Sequence, residues 1–465
     1  MIPAVIGAVS SISTSASPRV FGILYANPSV TYYGVLFYAN DSSYTSWSTK
    51  VLTATNTNAV FANSGAGPLS IAANNNYAYA LDYTETSVAA ISGSYPPSAL
   101  WSDVASPNYQ NLASQAQERM VTASDYPGIN IAYLGYNFTT ANTRYVNNNW
   151  VYVNPIGTQN VGSSSVNGGT FTNGPILTTL ISSINKSGTT ITVNTASPHG
   201  LLNGEWIYIQ GSSSGVNNIS HQVSTVNSAT SYNVSYTVSS SVMISQGSSG
   251  SAIPFRRWWD IAYGVGSTAG GVGRYVIVGE HGYQSDTIPA FKSIYSSSLT
   301  AGTWSIGANT SGPTTTGAKS VTFGNGTFVA VGGNPKTTYN QSQTVSGPMI
   351  YTSTDGISWA QQTISTGITQ PLLSVAYGAG KFVAVGFGGK IVYAADNAVN
   401  TWTNATSPTT AIINKIIFSV SKFFATSTDG KVLVSSDGVS WTAYTLPTIT
   451  GYDGTFISSM DIASF

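Results

Sequence analysis

Charge is the scarcest property of this chain: Asp, Glu, Lys and Arg together make up 7% of its 465 residues, against roughly 25% in an average globular protein. Its surface must be carried mostly by neutral hydroxyl and amide groups. Sixteen Lys plus Arg balance sixteen Asp plus Glu, so no basic field exists to gather phosphates, and nucleic-acid binding is not expected. Cysteine is absent, which removes disulfides and thiolate metal sites and makes the fold indifferent to redox compartment. His199, His221 and His281 stand apart from one another, without a His-x-x-x-His pair or an acidic calcium loop, and no Gly-rich phosphate loop leads into Lys-Ser/Thr. Neither a metal nor another cofactor is expected. No apolar run is long enough to cross a bilayer, so no membrane span is expected. The apolar start, Met1 to Val9, has no Lys or Arg before it and is short for a signal-peptide core.

What is present argues for a folded β protein. Hydrophobic residues make up 42% and aromatic residues 12% of the chain, more burial than disordered segments offer. The C-terminal half repeats a unit of four short strands. One copy runs through Ser320–Gly324, Thr327–Gly332, Met349–Asp355 and Ser358-Trp359. The next runs through Ser374–Gly378, Lys381–Gly386, Lys390–Asp396 and Thr401-Trp402, and a third through Lys415–Phe418, Lys422–Thr426, Lys431–Asp437 and Ser440-Trp441. Each has β-branched and aromatic runs parted by Gly, Asn and Asp turns, the signal of strands and hairpins.

The same template finds Trp259–Gly264, Arg274–Gly279, Ala290–Tyr295 and Thr303-Trp304 upstream, with Ser298 where other copies carry Asp. Near the start, Arg19–Tyr25, Tyr33–Tyr38 with Asp41, and Ser46-Trp47 supply three strands of a copy that lacks its first. Met460–Phe465, which repeats the Asp-Ile-Ala of Asp260–Ala262, fits as that strand. Two weaker copies fall between: Leu69–Ala73 with Tyr77–Leu81 and the Trp101 region, then Met120–Ala123 with Ile129–Leu134, Tyr145 and Trp150–Val153. Four-strand units of this length mark propeller blades. The expectation is an all-β, roughly seven-bladed β-propeller, closed by N- and C-terminal strands so that no sheet edge is left open.

Residues 158–257 break the rhythm. A Gly/Ser/Asn-rich linker leads into Thr189–Asn194, Glu205–Ile209, Gln222–Val226 and Tyr232–Tyr236, which read as a small inserted β domain. The organisation expected is an arm over 1–18, blades over 19–157, linker and module over 158–257, and further blades with the closing strand over 258–465. Flexible joints would let the module swing, and the uncharged arm would dock on a partner.

Ser353-Thr-Asp-Gly-Ile-Ser-Trp359 and Ser435-Ser-Asp-Gly-Val-Ser-Trp441 resemble the Asp-box of sialidase-like propellers, one residue shorter than the common form. The resemblance implies structural roles. Asp41, Asp355, Asp396 and Asp437 would accept turn N–H groups, and Trp47, Trp304, Trp359, Trp402 and Trp441 would pack between sheets. Sialidase chemistry needs an arginine cluster, and the six arginines here, Arg19, Arg119, Arg144, Arg256, Arg257 and Arg274, include no Arg-Ile-Pro segment of the family type. No catalytic residue is assigned, although a glycan-hydrolysing pair of acids is set by space and not by spacing. Twenty-eight Tyr and ten Trp serve either core packing or stacking on sugar rings.

Ser197-Pro-His-Gly-Leu-Leu-Asn-Gly-Glu205, after its Thr-Ile-Thr-Val strand, resembles the small HGL β modules of phage tail and baseplate proteins. That resemblance implies a virion protein of a bacteriophage tail, assembled in the host cytoplasm in several copies. It would be structural or host-attaching, with other tail proteins and a host surface glycan as partners. The alternative is a glycan-binding or sialidase-like propeller acting on host sugar.

Overall fold

A computed structural model describes residues 20–26, 33–51, 67–73, 78–83, 116–121, 131–136, 142–153, 161–164, 172–173, 179–210, 219–235, 251–281, 290–299, 304–309, 317–334, 346–447 and 457–464, short of one or two residues within some runs. The arm over 1–18, Asp41 and Trp101 lie outside the described residues. The described strands build seven open sheets and one closed barrel. The first sheet contains β1 (Val20–Ala26), β2 (Tyr33–Ala39) and β3 (Trp47–Val51). The second holds β4 (Gly67–Ala73), β5 (Ala78–Tyr83), β6 (Ala116–Val121) and β7 (Ile131–Tyr136), in the order β4-β5-β7-β6 with β5 and β7 parallel. The third holds β8 (Asn142–Val146), β9 (Asn149–Val153), β10 (Val161–Ser164) and β11 (Thr172–Asn173).

The strands β6 and β7, expected at Met120–Ala123 and Ile129–Leu134 and grouped there with Tyr145 and Trp150, thus join the sheet before. The reason is the parallel β7, which inserts between β5 and β6 and leaves the tight hairpin at Asn147 to start the next sheet. Val161–Ser164 and Thr172–Asn173, inside the stretch read as linker, complete that third sheet.

The barrel comprises β12 (Thr179–Ser187), β13 (Thr190–Thr195), β14 (Trp206–Gln210), β15 (Ile219–Ser228), β16 (Ser231–Ser235) and β17 (Ser251–Pro254). Alternation sends Ile191 and Val193 of β13 inward with Ile184, Ile207, Ile209, Val223, Tyr232 and Val234, while Thr192 and Asn194 stay on the polar face.

The fourth sheet is β18 (Arg256–Gly264), β19 (Arg274–His281), β20 (Ala290–Ser296) and β21 (Ser305–Ile306). The fifth is β22 (Ala308–Asn309), β23 (Ala318–Gly324), β24 (Thr327–Asn334), β25 (Ser346–Ser353) and β26 (Ser358–Gln361), the short β22 running parallel on its edge. The sixth is β27 (Leu372–Gly378), β28 (Lys381–Gly386), β29 (Ile391–Ala395) and β30 (Thr403–Asn404). The seventh is β31 (Ile413–Ser419), β32 (Lys422–Ser427), β33 (Lys431–Ser435) and β34 (Thr442–Thr445). Finally β35 (Ile457–Ser464) returns to the first sheet and pairs antiparallel with β1. Four-stranded antiparallel meanders of this kind are the blade unit of β-propellers.

Central strands such as Lys381–Gly386 carry continuous apolar runs because both faces are covered by neighbouring sheets. The first strands of successive sheets touch: β18 with β23, β23 with β27, β27 with β31, β31 with β35, β35 with β4, β4 with β8, and β8 with β18. Glycine makes that closeness possible. A Cβ on Gly264 would lie 2.2 Å from the Phe323 ring, one on Gly324 2.0 Å from Tyr377, and one on Gly378 2.0 Å from Phe418. Phe323-Gly324 and Tyr377-Gly378 therefore each give an aromatic to the sheet before and receive one from the sheet after. Phe418-Ser419 ends the series.

Candidate functional site

Turn chemistry accounts for two of the four aspartates singled out. Asp355 Oδ1 accepts the N–H groups of Ile357 (2.7 Å) and Ser358 (2.8 Å), and the Ser353 hydroxyl donates to it at 2.9 Å. Ser353 Oγ in turn accepts Gly356 N–H at 2.8 Å. Asp437 repeats this with Val439 and Ser440, both at 2.8 Å, and with Ser435 at 3.0 Å. Burial works against the Asp355 charge, but the two N–H groups, Ser353 and Arg274 hold its carboxyl below the ordinary range. For Asp437 the Ser440 N–H leads, opposed by burial and reinforced by Val439 and Ser435, again downward. Such carboxylates are ionised, and in each the Oδ1 oxygen is engaged by the turn. Arg274 joins two sheets, donating from Nη1 to Asp355 O at 2.8 Å.

Asp396 differs: its Oδ2 accepts the Tyr377 hydroxyl at 2.8 Å. The cause is local, since Ala394 replaces the serine and Asn397 the glycine of the turn motif. Asp429, unremarked in the sequence, belongs to the same chemistry. It accepts from Ser427, from Thr409 Oγ1 (2.8 Å) and from Lys431 Nζ (2.5 Å). Burial opposes its charge while Lys431, Ser427 and Thr409 hold its carboxyl low. The signal was available, as Ser427-Thr-Asp-Gly430 copies Ser353-Thr-Asp-Gly356, but no Trp follows it.

Trp359 lies among Val276, Phe291 and Phe328, between the fourth and fifth sheets. Trp402 lies among Val329, Ile350 and Phe382, between the fifth and sixth. Trp441 is packed against the cluster of Val383 and Phe423, and Trp47 against Phe37, Phe424 and Val432. Three of these indoles donate to turn carbonyls: Trp47 to Tyr44, Trp402 to Val399 and Trp441 to Gly438. Trp304 is the exception. Its described neighbours, Trp258, Tyr275 and Ile294 among them, all belong to its own sheet.

The junction between barrel and fourth sheet is built from the Ser197–Glu205 segment. His199 is buried, its Nδ1 accepting Leu201 N–H at 2.9 Å and its Nε2 facing Ser228 O at 2.9 Å, which requires the neutral ring protonated on Nε2. Its edge meets the Tyr232 ring, whose phenol is pushed up by burial. The turn so fixed presents Gly200 and Glu205 to the sheet. Lys292 Nζ of β20 lies 2.8 Å from Glu205 Oε1 and donates to Gly200 O at 3.3 Å, with the two charged side chains 8% and 1% exposed. A Cβ on Gly200 would stand 2.3 Å from Ile306 Cδ1. The module expected to swing on its linkers is instead seated on the sheet by a buried ion pair. The Gly/Ser-rich composition around it conceals this, because Lys292 is 87 residues away in sequence from its partner Glu205.

A second set, read in the sequence only as strand markers, sits between the inner strands. Asp260 is fully buried and accepts Ser320 Oγ–H (2.8 Å) and Val321 N–H (3.1 Å) from the next sheet. Ser320 Oγ accepts Val375 N–H, and Ser374 Oγ accepts Ile416 N–H. Among the described residues, no group of three or more His, Asp or Glu side chains could hold a metal ion, and no helix is long and apolar enough to cross a membrane.

No protein-family model matches the chain, and no curated protein matches it. Solved structures similar to it include YCF48 bound to D1 peptide, at 10% identity and TM-score 0.27 over 56% of this chain and 72% of that one. Others are the phage phi92 endosialidase, at 10% identity and TM-score 0.31, and Sqt1 from Chaetomium thermophilum, at 11% and 0.30. The endosialidase match covers 91% of this chain but 62% of that chain's length, and the Sqt1 match 64% and 68%. Likenesses this shallow bear on neither activity nor partners.

Proposed function

We propose that this chain is a non-catalytic structural or host-attachment protein of a bacteriophage tail, built as a seven-bladed propeller closed by the pairing of β1 with β35. The observation that carries the reading is the junction of the Ser197–Glu205 segment. The residues that resemble a phage-tail module form a small barrel and, through Glu205 and Lys292, seat that barrel on a propeller-like sheet. A rigid platform bearing a fixed side domain suits a part that must transmit position within an assembly. The non-catalytic part of the reading is supported by the aspartates, since Oδ1 of Asp355 and of Asp437 is engaged by its turn and Asp429 is engaged by Ser427, Thr409 and Lys431. Partners on this reading are neighbouring tail proteins and, at the attachment end, neutral host surface glycan.

Antibody against the purified chain, applied to intact particles of the phage that encodes it, tests the assignment by electron microscopy. Labelling of tails is expected. Particles that lack the chain by mass spectrometry would overturn the reading, and release of sugar from host envelope by the purified chain would overturn its non-catalytic part.

A further inference from the structure

The buried polar positions of the inner strands form a series that changes character at one seam. Asp260, Ser320, Ser374 and Lys415 each follow the irregularity in pairing near the start of their strand, and each is buried. Across the first three seams, an oxygen on the earlier sheet accepts a hydrogen from the later one: Asp260 from Ser320 and Val321, Ser320 from Val375, Ser374 from Ile416. Lys415 cannot continue this, because an ammonium has donors and no lone pair. Lys415 needs an acceptor, and the strand that follows is one place that can supply it.

That strand is β35, which touches β31 and β32. Its register on β1 decides which residue takes the series position. In the sixth sheet Ser374 pairs with Val385 and Tyr377 with Phe382, the residue clustered with that sheet's own Trp402. In the first sheet Val20 is clustered with its own Trp47 and pairs with Ser464, so Ile23 corresponds to Val385, and the partner of Ile23 is Asp461. The sequence agrees twice. Asp461-Ile-Ala repeats Asp260-Ile-Ala, and Ser464 stands in the aromatic position exactly where the preceding sheet carries Ser419 in place of glycine.

We propose that the charges of Lys415 and Asp461 are coupled across this seam, and that the coupling clasps the last strand in place. It rests on the proposed ring, since it assigns β35 the place between the seventh sheet and the second. A buried lysine is costly without a counter-charge, and a carboxylate on the following strand meets that need where a second serine would not.

A double-mutant cycle in the full chain tests the clasp: Lys415→Met, Asp461→Asn and both together, followed by urea denaturation and by hydrogen exchange at residues 457–464. Each single variant is expected to exchange there at least tenfold faster. The pair should be about tenfold better folded, in equilibrium constant, than two independent losses would leave it. Additive losses, or exchange at 457–464 unmoved by either substitution, would overturn the coupling. Should a single variant fail to fold, recovery of folded protein in the charge-swapped pair Lys415→Asp with Asp461→Lys supports the clasp, and no recovery overturns it. Unprotected amides at 457–464 in the unaltered chain would instead overturn the ring.

Discussion

Substituting Glu205 by Gln keeps the shape of the barrel junction and removes one charge. Lys292, 8% exposed, would keep its bond to Gly200 O, at 3.3 Å, but would face a neutral amide in place of a counter-charge. Breaking a buried ion pair from one side costs about 3–5 kcal/mol, because the other charge stays desolvated. This is about two to three and a half orders of magnitude in the equilibrium for seating the barrel. Lys292→Met should lose a similar amount, whereas Glu205→Leu with Lys292→Met should return to within about 1 kcal/mol of the parent, since apolar replacement of both partners is near neutral. A barrel and a sheet can open separately, so a single melting temperature is a poor readout. Hydrogen exchange at 191–195 in the barrel and at 290–296 in the sheet resolves the two. Faster exchange in both segments for each single variant, with restoration in the double, is the expected result. Single losses below about 1 kcal/mol that simply add would refute the reasoning, because they would mean that water already screens the pair.

Three more outcomes follow from other parts of the structure. Gly324→Ala should cost about 1–3 kcal/mol by forcing the Tyr377 ring, 2.0 Å away, out of place, while Ser419→Ala, where the aromatic series ends, should stay within about 0.5 kcal/mol; urea midpoints compare them. Trp359→Ala, at a fully buried site, should cost about 3–5 kcal/mol, and Trp359→Phe clearly less, by the same titration. The carboxyls of Asp355, Asp429 and Asp437 sit below their ordinary range when folded. Their stabilisation is therefore complete above the unfolded value of about 3.9 and is lost as pH falls through the lower folded values. Asp355→Asn combined with Asp437→Asn should flatten the acid limb of midpoint against pH and leave the slope from pH 5 to 7 unchanged; an unaltered acid limb would refute this.

Legibility followed the distance over which each interaction is made. The Ser-x-Asp-Gly turns were readable because donor, acceptor and glycine lie within four residues, and Asp355 and Asp437 do in the structure what such spacing allows. Asp396 shows the limit of reading by position alone: lacking the serine and glycine, it turns to Tyr377 instead. Asp429 shows the opposite error, in which requiring a Trp hid a turn of the same chemistry. The grouping of Ala116–Val121 and Ile131–Tyr136 was missed because a parallel pairing leaves no hairpin signature.

Composition, period-two alternation and turn residues alone determined that this chain is all-β, assembled from repeated four-strand units, and poor in any clustered charge. Those properties are local, and each unit declares them within its own stretch of chain. Only the tertiary structure decided that Asp260 is an inter-sheet acceptor and that the barrel is seated through Lys292. Their partners lie 60 and 87 residues apart in sequence, as between Asp260 and Ser320 and between Glu205 and Lys292. No propensity or spacing records a contact of that separation, because the free energy that selects it comes from desolvating both partners together.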